Sequence, residues 1–151
     1  MSWLRRLLGG TSDREIRPQR LDYLNEALVL ERQGDYEAAL TSYRLALRDQ
    51  PEDLRVLQNM AIAFSRTGRH DEAIRAYRKA LAVDPALSGA HYGLGFLLLK
   101  RGDNAEAMQH LEAFLASPPD GPEAERWVRH AQATLDQLRN PTPDGASGVE
   151  G

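Results

Sequence analysis

Apolar residues recur three and four positions apart along most of the chain, the spacing that gathers them on one face of an α-helix. The pattern predicts helices over 21–33, 36–49, 54–67, 70–83, 89–101 and 104–116. A further helix is expected over 122–139. Pro122 and Glu123 suit a helix N-terminus, and Ala124, Trp127, Val128, Ala131, Leu135 and Leu138 form its apolar stripe.

The helices come in pairs because the chain repeats itself. Segments 20–53, 54–87 and 88–121 align without gaps. Gly34, Gly68 and Gly102 share one column, each where a helical pattern ends and a left-handed residue closes the last turn. Ala39, Ala73 and Ala107 share another, where a small side chain lets two helices come close. Ala46 and Ala80 recur likewise, with Phe114 a departure in the third segment. Pro51, Pro85 and Pro119 close each unit, since proline cannot continue the preceding helix. Each unit therefore reads as helix A, a tight turn, helix B and a short turn. The helix over 122–139 is expected to cap the face that the last unit leaves open.

Further columns carry aromatic and small residues: Tyr43, Tyr77 and Leu111; Tyr36, His70 and Asn104; Ala27, Ala61 and Gly95. On these columns the sequence resembles the tetratricopeptide repeat family, with three repeats plus a C-terminal capping helix. The resemblance implies an all-α fold, a right-handed superhelix of antiparallel helix hairpins with about seven helices. It implies that the A helices line a concave groove, and that the chain binds a polypeptide and does no chemistry. Some members hold a chaperone's C-terminal carboxylate through lysine, asparagine and arginine on successive A helices. The matching places here hold Leu24, Leu28, Asn59, Gly89 and Gly93. Only Asn59 fits, so that clamp is not expected.

Within each A helix one stripe packs on helix B, and the residues off that stripe are expected to face the groove. Leu24, Asn25, Leu28 and Arg32 come from the first unit. Arg55, Asn59, Ile62 and Arg66 come from the second, and Tyr92, Phe96, Leu99 and Lys100 from the third. Leu24, Leu28, Ile62, Tyr92, Phe96 and Leu99 form an apolar surplus that marks either a partner site or a surface covered by a neighbouring helix or the cap. Arg32, Arg66 and Lys100 recur in register. They make a basic row that favours acidic residues on a ligand, or else cations that offset a helix C-terminus. Asn25 and Asn59 could hold a peptide backbone, or simply face solvent.

The ends differ. Trp3, Leu4, Leu7 and Leu8 fall on one face of a short helical segment with Arg5 and Arg6 beside them. This pattern suits an anionic membrane surface or a groove on another protein. Residues 1–19 read as that amphipathic segment and a linker, 20–139 as the repeat domain, and 140–151 as a disordered tail.

The net charge of −3 gives no support for wholesale nucleic-acid binding. No apolar run approaches the ~20 residues of a membrane span. The four histidines do not pair at metal-ligand spacing, and no nucleophile motif, phosphate loop or zinc signature is present. No catalytic residue, metal or cofactor is expected. The expected role is a cytoplasmic adaptor or scaffold for a protein or peptide with apolar and acidic residues. The alternative is an accessory subunit or assembly factor of a membrane complex, attached peripherally through Trp3–Leu8. Homo-oligomerisation is left open by the sequence.

Overall fold

The computed structural model describes residues 22–142. Among the described residues there are seven helices and no strands: α1 Tyr23–Arg32, α2 Tyr36–Asp49, α3 Leu54–Arg66, α4 His70–Val83, α5 Ser88–Arg101, α6 Asn104–Ala116 and α7 Ala124–Arg139. The N-terminal segment 1–19, with its Trp3–Leu8 anchor, and the tail beyond residue 142 lie outside the described residues. No helix among the described residues is long and apolar enough to cross a membrane.

The helix ends follow from local chemistry. Asp22 starts α1 by accepting from the Asn25 N–H at 3.1 Å. Asp35 accepts from Ala38 N–H, and Asp53 from both Arg55 and Val56 N–H. Each of these carboxylates satisfies donors that the first helical turn leaves orphaned.

The A-to-B turn has the same construction three times. Gly34, Gly68 and Gly102 take φ of 79°, 77° and 89°. Each glycine N–H donates to the carbonyl three residues back: Glu31, Ser65 and Leu99. The next N–H donates five residues back, Asp35 to Leu30, Arg69 to Phe64 and Asp103 to Leu98, at 2.8–2.9 Å. This paired bonding satisfies the last carbonyls of the helix and requires a left-handed residue, which glycine supplies at least cost.

The hairpins pack as α1 on α2, α3 on α4 and α5 on α6, and the units join through α2–α3 and α4–α5. Helix α7 packs on α6, and the A helices α3 and α5 also touch. Ala27, Ala39, Ala61, Ala73 and Ala107 are fully buried, so the small-residue columns lie inside the hairpins. The main core continues through Tyr43, Val56, Ile74, Leu94 and Leu98. A second cluster of Leu111, Phe114, Ala131 and Leu135 seats α7.

Gly93 shows how tightly the units meet. A Cβ there would come within 2.5 Å of the Tyr77 ring. Gly93→Ala should therefore lower the melting temperature. Overpacking costs about 1–3 kcal/mol, more than the ~1 kcal/mol of helix propensity that alanine returns. Thermal unfolding followed by circular dichroism measures it, and a melting temperature at or above that of the parent protein would contradict the packing.

Candidate functional site

Residues of α1, α3 and α5 fall into repeating columns, and the register of Leu28, Ile62 and Phe96 shows what these columns face. Ile62 is 38% exposed, an unusual state for an isoleucine in a helix otherwise packed through Met60, Ala61, Ala63 and Phe64. Arg32, Arg55 and Arg66 are exposed, and Asn59 and Leu28 are half-buried. Leu28, Glu31, Arg32 and Arg66 line a cleft of about 270 Å³ between α1 and α3.

Glu31 and Arg66 of this cleft belong to polar contacts that reach α2. Tyr43 donates its O–H to Glu31 Oε2 at 2.8 Å. Burial, and then the Glu31 carboxylate, push the Tyr43 pKa well above its ordinary value, so the phenol stays a donor. The other Glu31 oxygen is buried with no hydrogen-bond partner. Arg66 donates to the Tyr36 hydroxyl at 3.0 Å and lies over the Tyr36 ring at 5.8 Å. That bond holds the guanidinium in place and raises its pKa further. Arg66 is thus a fixed cation rather than a loose one.

The candidate residues fall into different settings. The apolar surplus is mostly covered by the chain itself. Leu24 and Leu99 pack on the main core, and Tyr92, Phe96 and Leu99 pack on the cluster that seats α7. The physical reason is that α7 takes the place of a next A helix. Asn25 is exposed, and its side-chain amide donates to the Asp22 carboxylate that caps α1. Lys100 does not share the cleft of Arg32 and Arg66. It lines another, with Gly68, His70, Asp71 and Arg101.

The structure also places residues that spacing could not. Trp127 and His130 of α7 reach across to α5. Trp127 stacks on Tyr92 with centroids 5.8 Å apart, and the Tyr92 hydroxyl lies 3.1 Å from His130 Nδ1. Phe96 meets the His130 ring at 4.5 Å, and Tyr92 meets the buried Phe114 at 5.0 Å. Burial raises the Tyr92 pKa, opposed by the nearby Arg126.

Two histidines that lie far apart in sequence also pair. His91 Nε2 lies 2.7 Å from the Pro85 carbonyl, which can only accept, so His91 carries its proton there. His110 Nδ1, 3.0 Å from His91 Nδ1, then donates to it. His110 Nε2 faces Glu106 at 3.7 Å. Burial, and then the neighbouring His91, hold the His110 pKa below its ordinary value, outweighing Glu106.

Two models of the tetratricopeptide repeat match the chain, over residues 19–86 and 59–122. No curated protein matches it. Among solved structures, it is similar to the Yersinia enterocolitica type III secretion translocator chaperone SycD in complex with a peptide of the translocator YopD. The identity is 20%, the TM-score 0.72, and the match covers 78% of this chain and 89% of that one. It is similar to the Sgt2 TPR domain from Aspergillus fumigatus, at 22% identity and TM-score 0.67, covering 85% and 87%. The second TPR of Spaghetti (RPAP3), bound to the HSP90 peptide SRMEEVD, matches at 22% identity and TM-score 0.61, covering 63% and 88%.

The histidine pair gives a pH prediction. An unfolded histidine takes up a proton near pH 6.5, whereas folded His110 resists it. The unfolded state therefore binds more protons below that pH. The contribution of His110 to stability is full above about pH 6.5 and is lost as pH falls. The melting temperature should drop between pH 7.5 and 5.5, and the drop should be smaller in His110→Gln. An equal drop in both proteins would refute the assignment.

Proposed function

The chain belongs to the tetratricopeptide repeat family, and from that premise we propose that it is a cytoplasmic adaptor holding a segment of a partner protein along the face of α1, α3 and α5. The observation that carries this reading is Ile62, an exposed isoleucine with Arg55, Asn59 and Arg66 on its own helix and Arg32 near Arg66. An exposed apolar anchor with cations on its own helix suits a ligand with an apolar side chain and carboxylates. The chain as a whole is acidic, at −3, so this cationic face stands out against the rest of the molecule. A positive face also speeds the encounter with an acidic segment, an effect that salt weakens.

The neighbours in complex with peptides, SycD with a YopD peptide and Spaghetti with an HSP90 peptide, support a binding role for the same architecture. The reading calls for no catalytic group and no cofactor.

A photocrosslinking amino acid at Ile62 in the full chain, expressed in its native cell, should yield a discrete adduct with one partner protein. Ile62→Glu combined with Arg66→Glu should weaken capture of that partner at least tenfold, about 1.4 kcal/mol, and leave the helical circular dichroism signal intact. Both side chains are exposed, so loss of fold is not the expected cause. Undiminished capture by the double variant would remove the proposal.

A further inference from the structure

Sealing the last repeat does not need an indole. Ala131 and Leu135 of α7 are 0% and 1% exposed and close the cluster over Leu111 and Phe114, with Val128 packed alongside. Trp127 sits on the same helix yet stays 37% exposed. One of its faces stacks on Tyr92 at an interplanar angle of 29°, which spends only part of the ring on packing. His130, also exposed, tilts over Phe96 and meets the Tyr92 hydroxyl. Tyr92 is thus the centre of an aromatic cluster with a buried base, Phe114, and a solvent-facing rim supplied by α7.

We infer that this cluster is a recognition site for an aromatic side chain of a partner segment that carries carboxylates beside it. Aromatic rings prefer offset or edge contacts with other rings, and a half-stacked tryptophan offers such a contact without rearrangement. Partly exposed tryptophan and tyrosine are also the residues that most often anchor protein interfaces. The charge preference comes from Arg126, exposed and next to Trp127 on α7. Glu123 and Glu125 lie near the α7 N-terminus, where the helix dipole offsets their charge. The chain's own remaining tryptophan is a poor occupant, because Trp3 lies two and three residues from Arg5 and Arg6. Those cations would be repelled by Arg126.

This inference rests on the groove reading above and adds the side chain that the groove selects. The test uses the full chain and a phage-displayed library of random twelve-residue peptides. The expected result is enrichment of sequences with phenylalanine, tyrosine or tryptophan flanked by aspartate or glutamate. Trp127→Ala should reduce binding of a selected peptide about tenfold. Trp127→Leu, which keeps bulk against Tyr92, should reduce it similarly and guards against loss of fold. Peptides without an aromatic residue that bind both Trp127 variants as well as the parent, yet lose binding to Ile62→Glu, would overturn the aromatic site and leave the groove standing. Enrichment of no sequence at all would count against both.

Discussion

Each hairpin depends on bringing two helices closer than ordinary side chains allow, and on reversing the chain within a few residues to do so. Ala27, Ala39, Ala61, Ala73 and Ala107 are buried without residue, and Gly95 takes the remaining place in the third hairpin. A Cβ at Gly95 would lie 2.9 Å from Leu111, so even alanine would crowd that crossing. The reversal is held by backbone bonds across Gly34, Gly68 and Gly102. Close packing of this kind gains dispersion contacts along the whole crossing and tolerates little change in volume. Once the crossing is fixed, every other column is fixed with it, including the one that places Leu28, Ile62 and Phe96 in line.

Charge plays a lesser part in cohesion. Arg69 meets Glu37, Arg101 meets Asp71, Arg78 meets Glu106 and Arg139 meets Glu112, each joining a helix to one of a neighbouring hairpin or the cap. All are exposed to water, where such pairs add little to stability. Arg32, Arg55 and Lys100, by contrast, form no ion pair among the described residues.

The repeat architecture was readable in the sequence because it rests on local rules. Glycine, alanine and proline at fixed intervals specify turns and crossings without reference to distant residues, and α2, α4 and α6 span the ranges that periodicity predicts. The site was less legible. Helical spacing places Tyr92 and Phe96 off the stripe that packs on helix B, but it cannot say that α7 will fold over them. Asn25 shares a column with Asn59, but only the first unit has Asp22 as a cap within reach of it, a difference the column does not carry. The His91–His110 contact joins α5 to α6 through side chains nineteen residues apart, a separation that metal-ligand spacing rules do not search. What escaped the sequence reading was contact between helices, where partner choice depends on three-dimensional neighbours rather than on period.

The turns have an evolutionary consequence. Because they are held by main-chain atoms and by side chains sealed within each hairpin, exposed residues along the inner wall such as Ile62 and Arg55 carry little of the scaffold's integrity. The three units already differ there, with Leu24, Gln58 and Tyr92 at one level and Leu28, Ile62 and Phe96 at another. Such a molecule separates its frame from its reading surface. New binding preferences can be acquired by replacing a few wall residues while the frame goes on folding as before.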